Sequence, residues 1–303
     1  MPTDWDSSFS NWASPPGKTE ADRIENSIRG VRRAIQSDVK LSSTTKVFLQ
    51  GSYRNRVNVR SDSDVDIGVL YTGGTFIPEY PAGTNRETFG NLPGTYTQFE
   101  FKNDVEAALV REFGRAAVTR GNKAIDVEEN TYRVDADVVP VFESRHYSTD
   151  GRYLCGVNLR TDKAESIMNW PEKLFDTGHW PDQHYENGLA KNDRTSRRYR
   201  GQVRIIKKLR FLMADEDITV AKEVEGFLVE CMVYNSPDQA LFLDSWHART
   251  VATLSYLVEK TSDESQCGDW REVSGLKWLF KTEPGKRERA YRFVHAALRL
   301  ITS

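Results

Sequence analysis

Hydrophobic residues follow a helical period near the start of the chain. One apolar stripe has the spacing of a buried helix face and consists of Ile24, Ile28, Val31 and Ile35. Thr19 stands before it as a candidate N-cap, with Asp22 three residues on in a near capping-box pattern. We therefore expect a helix from Thr19 onward and a loose arm before it.

Short apolar runs predict strands in the next part of the chain. These strands are predicted at 47–49, 67–70, 125–127 and 132–142. The Gly-, Pro- and Thr-rich stretch 72–98 predicts a long surface loop, followed by a helix at 101–113. A hairpin or an insertion is expected at 147–155.

From about Ser166 onward the pattern is helical. Helices are predicted at 195–214, 223–234, 238–260 and 288–301. Mixed strands followed by helices indicate an α+β protein with two lobes and a central cleft. We expect a catalytic core at 1–165, with an N-terminal helix that could span both lobes, and a helical lobe at 166–303.

The amino-acid composition narrows the class of protein and the cellular compartment that we expect. The chain has 303 residues, of which 28% are charged and 38% hydrophobic, as in ordinary globular proteins. No apolar stretch approaches the roughly 18 residues of a membrane span, and the N-terminus lacks a secretory pattern. Cys155, Cys231 and Cys267 are scattered and lack metal-site spacing, so we expect free thiols in the cytoplasm.

The most informative segment runs from Gly51 to Gly68. A Gly-Ser turn follows the first predicted strand, and Asp64 and Asp66 open the next one. Residues i and i+2 of a strand face the same way, so these two carboxylates project side by side. Paired oxygen ligands suit Mg²⁺, which proteins hold with one or two carboxylates plus substrate phosphates.

These aspartates also have two plainer interpretations. Asp62, Asp64 and Asp66 match the first ligands of an EF-hand loop, but position six has Ile67 instead of Gly and position twelve has Gly73 instead of Glu. An ordinary Asp-rich surface turn is the other alternative. The Gly-Ser element and a later carboxylate favour a functional site over it.

That later carboxylate lies in the predicted strand 132–142. Alternation places Asp135 and Asp137 on one face and Val134, Ala136 and Val138 on the other. Three carboxylates from two neighbouring strands predict a site for two metal ions, one activating a hydroxyl and one holding a triphosphate.

These motifs together resemble a known superfamily. Gly-Ser, then Ser-Asp-Val-Asp-Ile, then Asp-Val-Val-Pro-Val resembles the polymerase-beta-like nucleotidyltransferases. The segments 180–210 and 227–237 narrow the resemblance to the bacterial cGAS/DncV-like nucleotidyltransferases of clade E, the signal synthases of CBASS anti-phage systems. The resemblance runs from about Thr19 to about Arg249. It implies a polymerase-beta-like core, a mixed sheet with flanking helices, plus a C-terminal helical lobe.

The resemblance also implies an activity and a set of site residues. It implies that nucleoside triphosphates are joined into a cyclic oligonucleotide, a dinucleotide by our expectation, with release of pyrophosphate. Catalysis and binding of two Mg²⁺ ions, with Mn²⁺ an alternative, would fall to Asp64, Asp66 and Asp137. Nucleotide contacts would come from Gln50, Gly51, Ser52, His179, Asn187, Lys191, Arg204 and Lys207.

Within the basic run 191–210 we expect Lys207 to contact the triphosphate and the remaining arginines to face solvent mostly. Gly226 stands where relatives often carry a phosphate-binding Ser. Relatives that prefer pyrimidines carry Asn where this chain has His179, which favours adenine-containing products. Asn169 precedes a second Trp-Pro pair and leaves that alignment open.

Partners follow from the same reasoning. We expect nucleoside triphosphates as substrates, with ATP favoured and UTP or GTP as alternatives, a downstream cyclic-nucleotide-sensing effector, no membrane and a monomer. A net charge of −2 argues against a protein that coats nucleic acid, and activation by nucleic acid is not expected. Two alternative functions remain: a terminal nucleotidyltransferase acting on RNA or a small molecule, and a nucleotide-binding sensor without activity.

Overall fold

The computed structural model describes residues 4–60, 64–169, 183–281 and 283–303. These residues group into two compact units. The sheet unit is the described part of Gly17–Tyr53 and Ser63–Pro181. The helical unit is the described part of Met1–Pro16, Arg54–Asp62 and Asp182–Ser303.

A mixed sheet organises the sheet unit. Its strands have the order β1-β2-β5-β4-β3, and β6 and β7 extend it from β5. The β2–β5 pair is parallel and the other neighbours are antiparallel. The strands are β1 (Thr45–Leu49), β2 (Val65–Glu79), β3 (Val118–Arg120), β4 (Ile125–Val127), β5 (Ala136–Tyr147), β6 (Tyr153–Arg160) and β7 (Ser166–Asn169).

The helices are divided between the two units. Three of them, α2 to α4, begin in the sheet unit, and the others lie in the helical unit. Their bounds are α1 (Trp5–Ala13), α2 (Lys18–Gln36), α3 (Gly51–Asn55), α4 (Gln98–Phe113), α5 (Gln183–Arg194), α6 (Tyr199–Asp215), α7 (Thr219–Lys222), α8 (Gly226–Asn235), α9 (Trp246–Thr261), α10 (Glu264–Cys267) and α11 (Lys286–Thr302).

The cores form as the apolar patterns predict. All four residues of the N-terminal stripe are buried on α2 and pack with the apolar sides of α4 and the sheet. In the helical unit α6 buries Val203, Ile206, Leu209 and Met213, so its apolar face is also confirmed. Burying a full aliphatic side chain stabilises a fold by roughly 1.5–3 kcal/mol, so these faces dominate the packing.

The N-terminal predictions were wrong in two ways. Residues 5–13 are a helix and not part of a loose arm, because Asp4 caps α1 through its side chain and Phe9 of α1 is fully buried in the helical core. The α2 helix begins at Lys18 after Gly17, without a side-chain cap from Thr19.

Other boundaries differ because strands find partners that the local sequence does not show. β2 continues to Glu79, since after a register shift Phe76–Glu79 pairs with the long strand β5; the predicted loop therefore begins later. β7 pairs with β6, so the chain stays in the sheet unit beyond the boundary expected at 165. The expected helix at 238–260 is a 3-10 turn at Asp238–Phe242 followed by α9.

The structure also bears on membrane spans and cysteines. Among the helices of the described ranges, none combines the length and hydrophobicity of a membrane crossing. Cys155, Cys231 and Cys267 are buried free thiols.

Candidate active site

The Gly-Ser turn lies against the β2 strand. Gln50 follows β1 and donates its backbone N–H to the carbonyl of Asp66 at 3.1 Å. Gly51 has a φ of 66°, and a Cβ added there would lie 1.8 Å from Oδ2 of Asp66. Only glycine fits this position. Its backbone has the left-handed conformation that glycine adopts most easily, and any Cβ would overlap the Asp66 carboxylate. Ser52 follows on α3.

The predicted aspartates meet where β2 and β5 run side by side. Asp64 directly precedes β2, Asp66 lies within it, and Asp137 lies in β5. Asp66 and Asp137 are register partners in the parallel pair. Residues paired on neighbouring strands project to the same face, so the structure brings these two carboxylates together. The flanking Ala136 and Val138 are buried on the opposite face, as alternation predicts.

A fourth carboxylate, which the sequence analysis missed, extends this row. Asp126 in β4 is the antiparallel register partner of Asp137. We call Asp66, Asp137 and Asp126 the aspartate row. The polar centre of the predicted strand 125–127 was the available signal, but only the strand order places it beside Asp137.

Asp135 has a different role from Asp137. It stands before the first residue of β5, and its Oδ1 accepts the backbone N–H of Glu129 at 2.6 Å. This hydrogen bond stabilises the loop that precedes β5, so the Asp135 side chain has a structural contact.

The electrostatics of the row are those of crowded like charges. Burial, followed by the charges of Asp66, Asp126 and Asp64 and a hydrogen bond with Asp126, raises the pKa of Asp137 to about 7. Burial and neighbouring acids also raise the pKa of Asp64. Burial and the neighbouring carboxylates therefore make it costlier for Asp137 and Asp64 to ionise.

The donor set can be tested against a divalent cation. Within the described ranges, no three or more Asp, Glu, His or Cys side chains are gathered in the arrangement of a metal site. The donor chemistry nevertheless fits Mg²⁺, because all the groups are carboxylates and their mutual repulsion is what a hard cation relieves. Asp64, Asp66 and Asp137 are the residues that would hold it.

Three predicted nucleotide contacts in the helical unit make hydrogen bonds within the protein. Lys191 is 2% exposed, and its Nζ donates to the carbonyls of Tyr234 and Ser236 at 2.9 and 2.6 Å. Asn187 donates to the carbonyl of Val273 at 2.8 Å. These hydrogen bonds connect α5 with the segments that contain Tyr234, Ser236 and Val273.

Arg204 is the third of these residues. Its guanidinium donates to the carbonyls of Ala13 and Arg56, the latter at 2.7 Å. Burial, aided by the charge of Arg200, lowers its pKa to about 10. Arg200 and Arg204 are both buried, so the expectation that the remaining arginines of the basic run 191–210 mostly face solvent is wrong for Arg200.

Lys207 lies in a buried charged network. Its Nζ is 3.4 Å from Oε2 of Glu230, and His184 Nε2 is 2.6 Å from Oε1 of the same carboxylate. Burial would raise the pKa of Glu230, but Lys207 and His184 outweigh it and lower that pKa. A Cβ added at Gly226 would lie 3.6 Å from Cε of Lys207, so the position where relatives often carry Ser borders this lysine. His179 lies outside the described residues.

Comparison with known proteins identifies the family. A profile of the cGAS/DncV-like nucleotidyltransferase C-terminal helical domain matches residues 186–302. A cyclic dipyrimidine nucleotide synthase, CdnE, of Cecembia lonarensis is 42% identical over 274 residues, which are 90% of this chain and 89% of the relative. The chain belongs to the cGAS/DncV-like nucleotidyltransferases.

Further comparisons place it near the clade E members. A cyclic dipyrimidine nucleotide synthase, CdnE, of Legionella pneumophila is 38% identical and covers 92% of each chain. The structure of Elizabethkingia meningoseptica CdnE cyclic dinucleotide synthase with GTP and Apcpp has a TM-score of 0.78 and 29% identity, covering 98% of this chain and 99% of that one. As a member of this family the chain is a nucleotidyltransferase that joins nucleoside triphosphates into a cyclic oligonucleotide in antiviral signalling.

Proposed function

We propose that the product is a cyclic dinucleotide containing at least one pyrimidine. Two relatives that cover about nine-tenths of this chain are both cyclic dipyrimidine nucleotide synthases. This similarity outweighs the expectation of adenine that rested on His179 alone. The main support for nucleotidyl transfer at this site is that Asp66 and Asp137 are register partners and that the Gly51 turn lies against Asp66.

Each residue of the sheet site has a proposed task. Asp64, Asp66 and Asp137 hold Mg²⁺, with Mn²⁺ as a substitute, and Asp137 orients the acceptor hydroxyl. The chemistry that such cations supply when bound is a lower hydroxyl pKa and neutralisation of the phosphates. Gly51 brings the backbone close, and Ser52 offers its hydroxyl to a phosphate oxygen. Asp126 supports Asp137 from the neighbouring strand.

In the helical unit we retain Lys207 as a phosphate contact. Among the described residues its ammonium has one ion pair, 3.4 Å from Glu230, and an ammonium has three N–H donors, so donors are left for a ligand. Lys191, Asn187 and Arg204 stabilise the unit instead. The three buried free thiols fit a reducing compartment, and we propose a cytoplasmic location.

The experiment is a reaction of the purified protein with an equimolar mixture of the four nucleoside triphosphates and Mg²⁺, analysed by mass spectrometry. A cyclic dinucleotide that contains uridine or cytidine is expected. A product made only of purines would refute the base assignment. Label found only on added RNA or on a small-molecule acceptor would refute cyclisation, and no turnover under any condition would favour a sensor.

A further inference from the structure

Two lysines of the helical unit are almost fully buried but differ in their acceptors. Lys191 is 2% exposed, and its Nζ lies 2.9 and 2.6 Å from two backbone carbonyls and 3.0 Å from Oδ1 of Asp238. Lys207 is 6% exposed, and in the part of the chain that the structure describes its Nζ has a single polar partner, Oε2 of Glu230 at 3.4 Å. An ammonium has three N–H donors, and burying them without close acceptors is costly. The fold therefore satisfies Lys191 and leaves Lys207 with donors to spare.

His184 makes the short contact with Glu230. Its Nε2 lies 2.6 Å from Oε1 of the carboxylate, and Glu230 is 2% exposed. An ionised carboxylate only accepts hydrogen bonds, so Nε2 is the donor. Phe227 packs against the imidazole ring, with 5.7 Å between the ring centroids. The imidazole is therefore held in place by a hydrogen bond and by an aromatic contact.

We propose that His184 is a positioning residue for Lys207 and that it acts through Glu230. The two side chains share one carboxylate, and His184 has the shorter contact with it. A donor at Oε1 orients the carboxylate and partly offsets its charge, which leaves Lys207 in a long ion pair at Oε2. The long pair keeps the ammonium available to phosphate oxygens. This inference rests on the proposed function, because it concerns how Lys207 is kept ready for the nucleotide.

Electrostatics predict what removal of His184 would do. Oε1 of Glu230 would lose its donor in a buried position, where a carboxylate without partners is costly. Attraction between opposite charges grows as their distance and the local dielectric constant fall, so the carboxylate would draw Lys207 into a shorter pair. The ammonium would then be engaged as that of Lys191 is, and a phosphate group would have to displace Glu230 before it could bind. We therefore expect weaker phosphate binding.

The test measures binding of inorganic tripolyphosphate to the full chain in EDTA by isothermal titration calorimetry. His184→Leu removes the donor and should bind tripolyphosphate about 10-fold more weakly than the wild type, the loss expected for one hydrogen bond to a charged group. His184→Gln retains an N–H donor for Oε1 and should stay within about 3-fold of the wild type. His295→Leu, at an exposed position of α11, is the matched control and should bind as the wild type does. Should His184→Leu fail to fold, His184→Asn, whose shorter amide does not reach Oε1, replaces it with the same expectation.

Turnover provides the second measurement. His184→Leu should raise KM for nucleoside triphosphates about 10-fold and change kcat much less, because phosphate binding is weakened while the aspartate row is untouched. A purely structural histidine would instead lower Tm and the active fraction, and hence kcat, at unchanged KM. That result would overturn the proposal.

Further results separate the role of His184 from the function on which it rests. Unchanged tripolyphosphate affinity in His184→Leu, or an equal loss in His184→Gln, would overturn the positioning role. Lys207→Met should lose most of the tripolyphosphate binding. Wild-type affinity in that variant, or no binding by the wild type, would overturn both the phosphate contact and the positioning role. Product formation by the wild type is followed by mass spectrometry on the same preparation, so failure of the proposed function is recognised separately.

Discussion

Buried charges have opposite surroundings in the aspartate row and in the network of Glu230, Lys207 and His184. In the sheet unit, carboxylates are paired with carboxylates across three strands, and burial with repulsion raises the pKa of Asp137 to about 7. In the helical unit, Glu230 is paired with Lys207 and His184, and its pKa is lowered. Opposite charges offset the cost of each other's burial, whereas like charges held together add to it, and carboxylates with raised pKa values are typical of functional sites. Each region therefore predicts a different consequence of mutation.

The largest effect should come from the aspartate row. Asp66→Asn combined with Asp137→Asn should reduce product formation at least 1000-fold, since the divalent cation loses two charged ligands (~4 kcal/mol in the transition state). The ligand-free stability should stay equal or rise because repulsion is removed. Product is measured by mass spectrometry and stability by thermal unfolding.

The matched control is Asp150→Asn, in the turn between β5 and β6, which should leave product formation unchanged. If the double variant keeps activity, the row is not the catalytic site. If it unfolds, the row belongs with the networks that stabilise the fold, and the comparison fails.

Glu230→Gln should produce the opposite pattern, with a large loss of stability. Removing one partner of a buried ion network costs about 3 kcal/mol, here because Lys207 and His184 lose their shared carboxylate. Since the folded pKa of Glu230 is lowered, its contribution is present above the unfolded value of about 4.3 and is lost as pH falls below it.

Urea unfolding of wild type and Glu230→Gln at neutral and acidic pH tests this. The difference in unfolding free energy should shrink in acid. Glu259→Gln, at an exposed helix position, serves as the control and should change stability by less than about 0.5 kcal/mol. A difference that is constant across pH would show that the charge of Glu230 is not what stabilises the unit.

Gly51→Ala tests how closely the turn approaches the row. Its Cβ would displace the Asp66 carboxylate, so we expect a roughly 10- to 100-fold loss of activity in addition to a backbone cost of about 1 kcal/mol. Gly90→Ala has nearly the same φ, 64°, but open space at its Cβ, and should show only the backbone cost. Equal activity losses in the two variants would mean that strain, not Asp66, is responsible.

Gly226→Ser should have the smallest effect. The space beside Lys207 admits a Cβ at 3.6 Å, an ordinary contact, so stability should change by less than about 1 kcal/mol. The new hydroxyl adds one phosphate donor, and KM for the nucleotide should fall about 2- to 5-fold at unchanged kcat. Gly226→Ala provides the control without the hydroxyl. An identical KM in both variants would show that no phosphate reaches this position.

Local patterns predicted the parts of the molecule that depend on neighbours in sequence. The apolar stripes of α2 and α6, the strand at 125–127, and the alternation of Asp137 with the buried Ala136 and Val138 in β5 all follow from residue spacing. Predictions failed where a distant partner decides. The α1 helix forms because Phe9 finds a core made by other helices, and β2 lengthens because β5 extends beside it.

The same division applies to the sites. The sequence by itself predicted Gly51, Asp64, Asp66 and Asp137 as the residues of the site, because strand alternation and turn geometry are local. Only the tertiary structure showed that Asp126 joins the row and that Lys191 and Arg204 are bound to backbone carbonyls. Whether a charged side chain serves the fold or a ligand depends on which groups surround it, and strand order and helix packing supply those groups.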